Sequence, residues 1–241
     1  QIEEISLTTN GILLGEMAAE LKDAGLHRVN VSLDTLKPEK FARITRFGSL
    51  EKVWRGLEAA ERVGLAPVKI NAVAMRGFND DELVDLAKIT LERPWHVRFI
   101  ELMRIHNDPI WEAGFQPNEK PFISTGEIRD LLAHLGLAPV ETPSGNGPAR
   151  EYTLTGAKGR IGLISPLSDH FCKQCNRLRI TADGSFRPCL LRDLAIPFLQ
   201  GLRTGEPLLP YLERAVANKP MGHQLEEDQP TQGRFMGQIG G

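Results

Sequence analysis

The sequence predicts an α/β fold with a parallel sheet in its first hundred residues, followed by a region of different build. Three observations predict it. Apolar residues alternate between the period of a strand and that of a helix, in the order β-α-β-α-β-α-β, with strands about 25 to 40 residues apart. Turn and cap residues punctuate the segments. Polar residues recur at the C-terminal ends of successive strands, where parallel sheets carry their chemistry: Thr8, Thr9 and Asn10; Ser32 and Asp34; Lys69 and Asn71; Arg98, Glu101 and Met103.

Ile5-Ser6-Leu7-Thr8-Thr9 reads as the first strand and ends at Asn10-Gly11, a turn signal. Leu13, Met17, Ala18 and Leu21 then share a helical face, with Gly25 as C-cap. Residues 27–33 form the second strand. Residues 50–63 form a helix striped by Val53, Leu57 and Ala60 and stopped by Gly64. Residues 68–73 are the third strand. Asn79 is expected to cap the next helix, with Glu82 as the capping-box acid and Leu83, Leu86, Ala87 and Thr90 on its face. Pro94 ends that helix, and residues 97–102 are the fourth strand. After Met103 the pattern changes. Residues 104–122 read as a long functional loop. Thr125 is expected to cap a helix faced by Ile128, Leu131, Leu132 and Leu135 and ended by Gly136. Residues 152–164 read as two short strands, and a proline-interrupted helical tail follows the cysteines.

At 241 residues the chain can bury a sizeable core. Its hydrophobic fraction of 41% and charged fraction of 25% are ordinary for a globular protein. A net charge of −2 argues against a general nucleic-acid binder while leaving room for a local basic pocket. No apolar run approaches the roughly 18 residues of a membrane span, so no membrane partner is expected. An odd number of cysteines, all clustered, fits metal binding in a reducing compartment, the cytoplasm, better than a disulfide framework. The opening residues Gln1-Ile2-Glu3-Glu4-Ile5 already read as a working strand without an initiating Met. The N-terminus is therefore expected to belong to a longer protein.

Residues 171–191, FCKQCNRLRITADGSFRPCLL, concentrate the chemistry. Cys172 and Cys175 are three apart, and Cys189 follows after a hairpin-length gap. Three readings fit the spacing: zinc with His170 or His223 as fourth ligand, an iron–sulfur cluster with one open iron, or buried inert thiols. Arg177 and Arg179 point to one side of a strand, where guanidinium forks grip a phosphate or a purine edge; the plain alternative is a solvated strand face. Lys69 in an apolar strand points either into a barrel or to solvent. Arg98 and Glu101 are candidates to pair with each other.

TTNG (8–11), NVSLDTL (30–36), KINAV (69–73), RFIELM (98–103), GPAR (147–150), IGLISP (161–166) and FCKQCNRLRIT (171–181) with Cys189 occur in an order that resembles the molybdenum-cofactor biosynthesis protein A family, the radical S-adenosylmethionine GTP 3',8-cyclases. The likeness runs over nearly the whole chain, down to the terminal Ile239-Gly240-Gly241. It implies a partial (βα)6 barrel closed at its mouth by a C-terminal region, with residues 1–103 as the C-terminal part of the barrel and residues 104–241 as the closing region. It raises iron–sulfur above zinc. By this resemblance Cys172, Cys175 and Cys189 ligate an auxiliary [4Fe–4S] cluster whose open iron meets guanine. Thr8, Lys69, Arg98, Arg177, Leu178 and Arg179 match contacts to GTP. Ser32 and Met103 match contacts to S-adenosylmethionine, with Asn71 as a neighbour, and the Gly-Gly tail reaches toward the active site.

The resemblance implies GTP as substrate and a reductant protein as electron donor, and allows a homodimer. In its chemistry a 5'-deoxyadenosyl radical takes hydrogen from C3' of GTP, and C3' then bonds to C8 of guanine to give a cyclic dihydro-GTP. The family's first cluster uses a Cys-x3-Cys-x2-Cys motif, and an early Gly-Gly-Glu motif and further GTP-binding arginines also lie upstream; none of these occurs in this sequence. The chain by itself is therefore expected to be inactive, to lack the first barrel strands, and to owe its second [4Fe–4S] cluster to an N-terminal part. The competing functional readings are another radical enzyme with an auxiliary cluster, and a non-catalytic nucleotide-binding module stabilised by zinc or a cluster.

Overall fold

The computed structural model describes residues 2–103, 121–141 and 147–222. They form two compact units, one of residues 2–102 and 121–168, the other of residue 103 and 169–222. The sequence readings for His223, the Gly-Gly tail and most of the loop at 104–122 lie outside the described residues.

The first unit alternates strand and helix as the periodicity predicts: β1 (Ser6–Thr9), α1 (Leu14–Asp23), β2 (Arg28–Ser32), α2 (Pro38–Thr45), α3 (Leu50–Arg62), β3 (Lys69–Ala74), α4 (Leu83–Glu92) and β4 (His96–Glu101). Then come α5 (Thr125–Leu132), β5 (Ala138–Pro139), β6 (Arg150–Thr153) and β7 (Arg160–Ile164). Its seven strands make one sheet in the order β1-β2-β3-β4-β7-β6-β5. The pairs from β1 through β4 to β7 are parallel, and β6 and β5 add an antiparallel edge. Val29, Val31, Ile70, Ala72, Val97 and Phe99 are fully buried and join Leu57, Leu86 and Ile128 of the helices in one core. At about 25 cal/mol per Å² of apolar area, this burial is the main force that lays the helices on the sheet.

Several local expectations shift. The buried stripe of α1 is Leu14 and Ala18, whereas Leu13 and Met17 are 57% and 42% exposed, so the face is rotated by one residue. Helix α2 was not expected. It is short, starts with Pro38 at its first turn and buries Phe41 alone, too little for a periodic signal. Ser124, not Thr125, caps α5, in a capping box with Glu127. Asn79 does not cap α4. Its side chain donates to the carbonyls of Asp34 (2.6 Å) and Val73 (2.8 Å) and accepts from the Met75 amide. Glu82 is likewise diverted, accepting from Thr35 and the Leu36 amide and pairing with Lys40 at 2.9 Å. Both residues brace the loop that follows β2.

Glu101 is fully buried and does not pair with Arg98, which lies on the opposite face of β4. Its carboxylate accepts from the amides of Thr125 (2.8 Å), Leu167 (3.0 Å) and Ser168 (3.0 Å) and from the Ser168 hydroxyl. It thereby ties the starts of α5 and of the turn after β7 to the end of β4. Glu101→Ala strands these buried donors, and unfolding in urea is expected to show a loss of about 2–3 kcal/mol.

The second unit is built on β8 (Arg179–Ile180), β9 (Ser185–Arg187) and β10 (Ile196–Pro197), an antiparallel sheet with β9 at its centre, and on α6 (Leu199–Arg203) and α7 (Leu209–Ala217). Its small core joins Phe186, Ile196, Phe198 and Ala215, with the Phe186 and Phe198 ring centroids 4.5 Å apart. Among the described residues no helix is long and apolar enough to cross a membrane.

Candidate functional site

The period of two that puts apolar residues on the helix-covered face of the first unit's sheet puts polar ones on the other. The parallel register aligns them in rows. Thr8, Asn30, Lys69, His96 and Arg160 are successive neighbours across five strands. One step toward the C-terminal ends, Ser32, Asn71, Arg98, Gly162 and Glu151 form the next row. Five expected site residues, Thr8, Ser32, Lys69, Asn71 and Arg98, thus share one face.

Lys69 is only 2% exposed. Burial, with Arg98 and Arg28 adding repulsion, pushes its pKa down to about 8; Glu151 and Glu4 oppose this without compensating. His96 beside it is pushed down to about 4, first by burial and then by the charge of Lys69, so its imidazole is neutral at physiological pH. Thr8 accepts from the Asn30 amide group at 3.3 Å, and Arg28 binds both Asn30 (3.1 Å) and Glu4. Glu151 is held by Arg160 at 2.7 Å. Asn71 Oδ1 is buried and accepts no hydrogen bond, next to the exposed Ser32. A buried acceptor without a donor is costly in a folded protein, and a ligand hydroxyl or ammonium would satisfy it. In the loop after Ser32, burial raises Asp34 to about 6 although it accepts from the Val73 amide at 2.8 Å.

The remaining expected site residues lie in the second unit. Met103 packs beside Leu191 with Cys189 and Leu190. Of the Arg177-Leu178-Arg179 run only Arg179 lies in a strand, at the start of β8. Leu178 packs, partly buried, against the Phe186 core. Arg177 stacks over the Phe171 ring at 5.4 Å. Arg179 pairs across the hairpin with Arg187, and burial followed by the charge of Arg177 holds its pKa below the usual value.

Cys172, Cys175 and Cys189 are free and half-buried. Cys172 starts a 3-10 turn that ends before Cys175. Lys219 donates to the carbonyls of Arg177 (2.6 Å) and Pro188 (2.9 Å), pinning together the chain segments that carry Cys175 and Cys189. Burial raises the Cys175 thiol, but the Arg177 amide and the charges of Lys219 and Arg177 outweigh it, leaving a net lowering. Among the described residues no three of these or other His, Cys, Asp or Glu side chains converge as a metal-binding group. The donor set still fits an iron–sulfur cluster in kind: three free thiols flanking the β8–β9 hairpin, with Arg177, Arg179 and Lys219 near them to offset thiolate charge.

Sequence reasoning missed His96, Asn30, Glu151 and Lys219. A histidine beginning a strand carries no motif, and Lys219 acts across 42 and 31 residues of sequence.

Comparison with known proteins divides the chain elsewhere, just before β4 within the first unit. The model described as Radical SAM superfamily matches residues 1–89, and that described as Molybdenum Cofactor Synthesis C matches residues 95–225. The GTP 3',8-cyclase of Moorella thermoacetica is 48% identical over 244 residues, covering all of this chain and 73% of the relative. Those of Heliobacterium modesticaldum and Pelotomaculum thermopropionicum are 47% and 46% identical with the same coverage. At this identity over its full length, the chain belongs to the GTP 3',8-cyclase family of radical S-adenosylmethionine enzymes.

Proposed function

We propose that this chain carries the GTP-binding and auxiliary-cluster part of a GTP 3',8-cyclase acting in molybdenum cofactor biosynthesis. Family membership supports the reaction, and one observation supports the placement of the substrate. A lysine sits buried at 2% exposure in a row of polar groups, one step from Arg98, where only an anionic ligand repays the desolvation of its charge. On this reading residues 1–103 are the C-terminal part of a partial barrel, and residues 104–241 are the region that carries the auxiliary cluster and a GTP-binding segment.

Lys69 and Arg98 bind the triphosphate, with Thr8 at the side of the row. Arg177 and Arg179 take a phosphate or the purine edge by planar forks, and the main chain of Leu178 lies between them. Ser32, Asn71 and Met103 receive S-adenosylmethionine, the orphaned Asn71 oxygen accepting from one of its donors. Cys172, Cys175 and Cys189 hold a [4Fe–4S] cluster that leaves one iron without a protein thiolate. The bound cofactors supply the radical chemistry that joins C3' of GTP to C8. The chain's own residues hold four negative charges still, exclude water and fix the ribose near the purine.

The test is an anaerobic assay of this chain reconstituted with an N-terminal part that carries the Cys-x3-Cys-x2-Cys motif, given GTP, S-adenosylmethionine and dithionite, reading 5'-deoxyadenosine and the cyclised nucleotide by chromatography. Formation of both is expected, and deoxyadenosine without cyclised GTP would refute the substrate. A charge-assisted fork contributes about 1.5–3 kcal/mol, so Arg177→Ala and Arg179→Ala should each weaken GTP binding about 10- to 100-fold by calorimetry. Lysine is not expected to restore it, because an ammonium lacks the planar fork. Unchanged affinity in both alanine variants would remove these residues from the site.

A further inference from the structure

Arg98 does not stand up from the sheet. Its stem lies across the neighbouring strand β7, because the residue opposite it in register is Gly162. A Cβ built on Gly162 would lie 2.8 Å from Cγ of Arg98 and 3.2 Å from Cβ of Ala149. The first distance is inside van der Waals contact, and Cγ is the base of the arginine stem, not its adaptable tip. Farther along the same side chain, a Cβ on Gly147 would lie 3.8 Å from a terminal guanidinium nitrogen, an ordinary contact. Those distances trace the side chain's path. It leaves β4, crosses β7 over Gly162 and ends beside Gly147, just before β6. Gly162 has no positive φ, so no turn or backbone constraint calls for glycine there. It lies within a regular strand, where glycine weakens pairing and packs nothing. The missing side chain is the space that Arg98 occupies.

We propose that Gly162 is a positioning residue for GTP, setting the path of Arg98 so that its guanidinium is held beside Gly147 in the orientation that receives the triphosphate. The glycine of the IGLISP segment thereby acquires a role, and that of the GPAR segment marks where the side chain ends. Gly162 leaves room for the stem of this arginine, and Gly147 lies in ordinary contact with its tip. A fork held by the sheet loses less rotamer freedom on binding than one that must be gathered from solvent. A methyl group at position 162 pushes the stem into another rotamer and moves the guanidinium away from its place.

The inference rests on the reading that Arg98 binds GTP, and the experiment separates the two. GTP and guanosine affinities of the reconstituted holoprotein are measured for Gly162→Ala, Arg98→Ala and the double variant, with thermal unfolding of each. Arg98→Ala is expected to weaken GTP about 10- to 100-fold. Gly162→Ala is expected to weaken it about tenfold and to leave guanosine, which carries no phosphate, unchanged. The double variant should match Arg98→Ala within about twofold, because both changes remove one interaction. An additive double variant, or a Gly162→Ala protein that binds GTP normally while Arg98→Ala does not, would overturn the positioning role. If Arg98→Ala binds GTP normally, the assignment of Arg98 fails and the positioning role with it. Should Gly162→Ala fail to fold, the double variant decides. Folding recovered by removing Arg98 identifies their clash as the cause, and folding that stays lost shows that Gly162 serves something else.

Discussion

Cys189→Ser is expected to strip the auxiliary cluster from the chain and, in a protein that also carries the Cys-x3-Cys-x2-Cys cluster, to abolish cyclisation of GTP. A cluster held by three thiolates has no protein ligand in reserve, and a serine hydroxyl stays protonated where a thiol ionises. After anaerobic reconstitution, iron and sulfide should fall by about four atoms each per chain. Cys172→Ser and Cys175→Ser should do the same. The thiols are half-buried and none belongs to the Phe186–Phe198 core, so the fold of the second unit should survive the change. Near-normal melting of the variant separates loss of the cluster from loss of the fold. Stoichiometric zinc in the wild-type chain under the same conditions, without sulfide, would overturn the assignment.

Lys69→Met is expected to make the protein more stable and nearly unable to bind GTP. The lysine is buried, and its pKa of about 8 lies well below the ordinary 10.5. At neutral pH the charge therefore costs about 3 kcal/mol, at 1.36 kcal/mol per pKa unit. Methionine keeps the length of the stem and removes that cost. The sign follows from proton binding. Between pH 8 and 10.5 the unfolded chain holds a proton at Lys69 that the folded chain has released, so wild-type stability rises with pH across this window. Urea unfolding should show the gap between variant and wild type at pH 7 and little of it near pH 10. Binding runs the other way. GTP draws a proton onto Lys69, so wild-type affinity should fall up to tenfold per pH unit above pH 8. The variant should bind about 100-fold more weakly at pH 7 and lose this pH dependence. A variant that is destabilised, or that binds GTP as wild type does, would show Lys69 to be a structural residue. Gains in stability on removing a strained polar group are the usual mark of a functional site.

Much of the candidate site was legible because its signals are local. The spacing of Cys172, Cys175 and Cys189, and the two arginines that follow the first pair, need no knowledge of the fold. Both are set by neighbours within a few residues. The caps were harder to read. Asn79 and Glu82 carry the signature of a helix start, yet both bond to the loop after β2, roughly 45 residues away. A polar side chain near a helix terminus takes whichever donor the tertiary contacts bring, and local pattern cannot rank the offers.

From its order alone, the sequence determined the alternation of strand and helix through β4, the polar residues at the strand ends, and the cysteine hairpin with its arginines. These follow from hydrophobic period and residue chemistry. Tertiary structure alone decided that β7 inserts beside β4, that Thr8, Lys69 and Arg98 share a face with His96 and Glu151, and that Glu101 turns away from Arg98 to bind amides 24 to 67 residues distant. It also decided the burial of Lys69 and the path of Arg98 over Gly162. Strand order, burial and side-chain path are properties of pairs that meet only when the sheet closes, and the free energy of such pairs lies in desolvation and packing, which leave no trace in the residues flanking either partner.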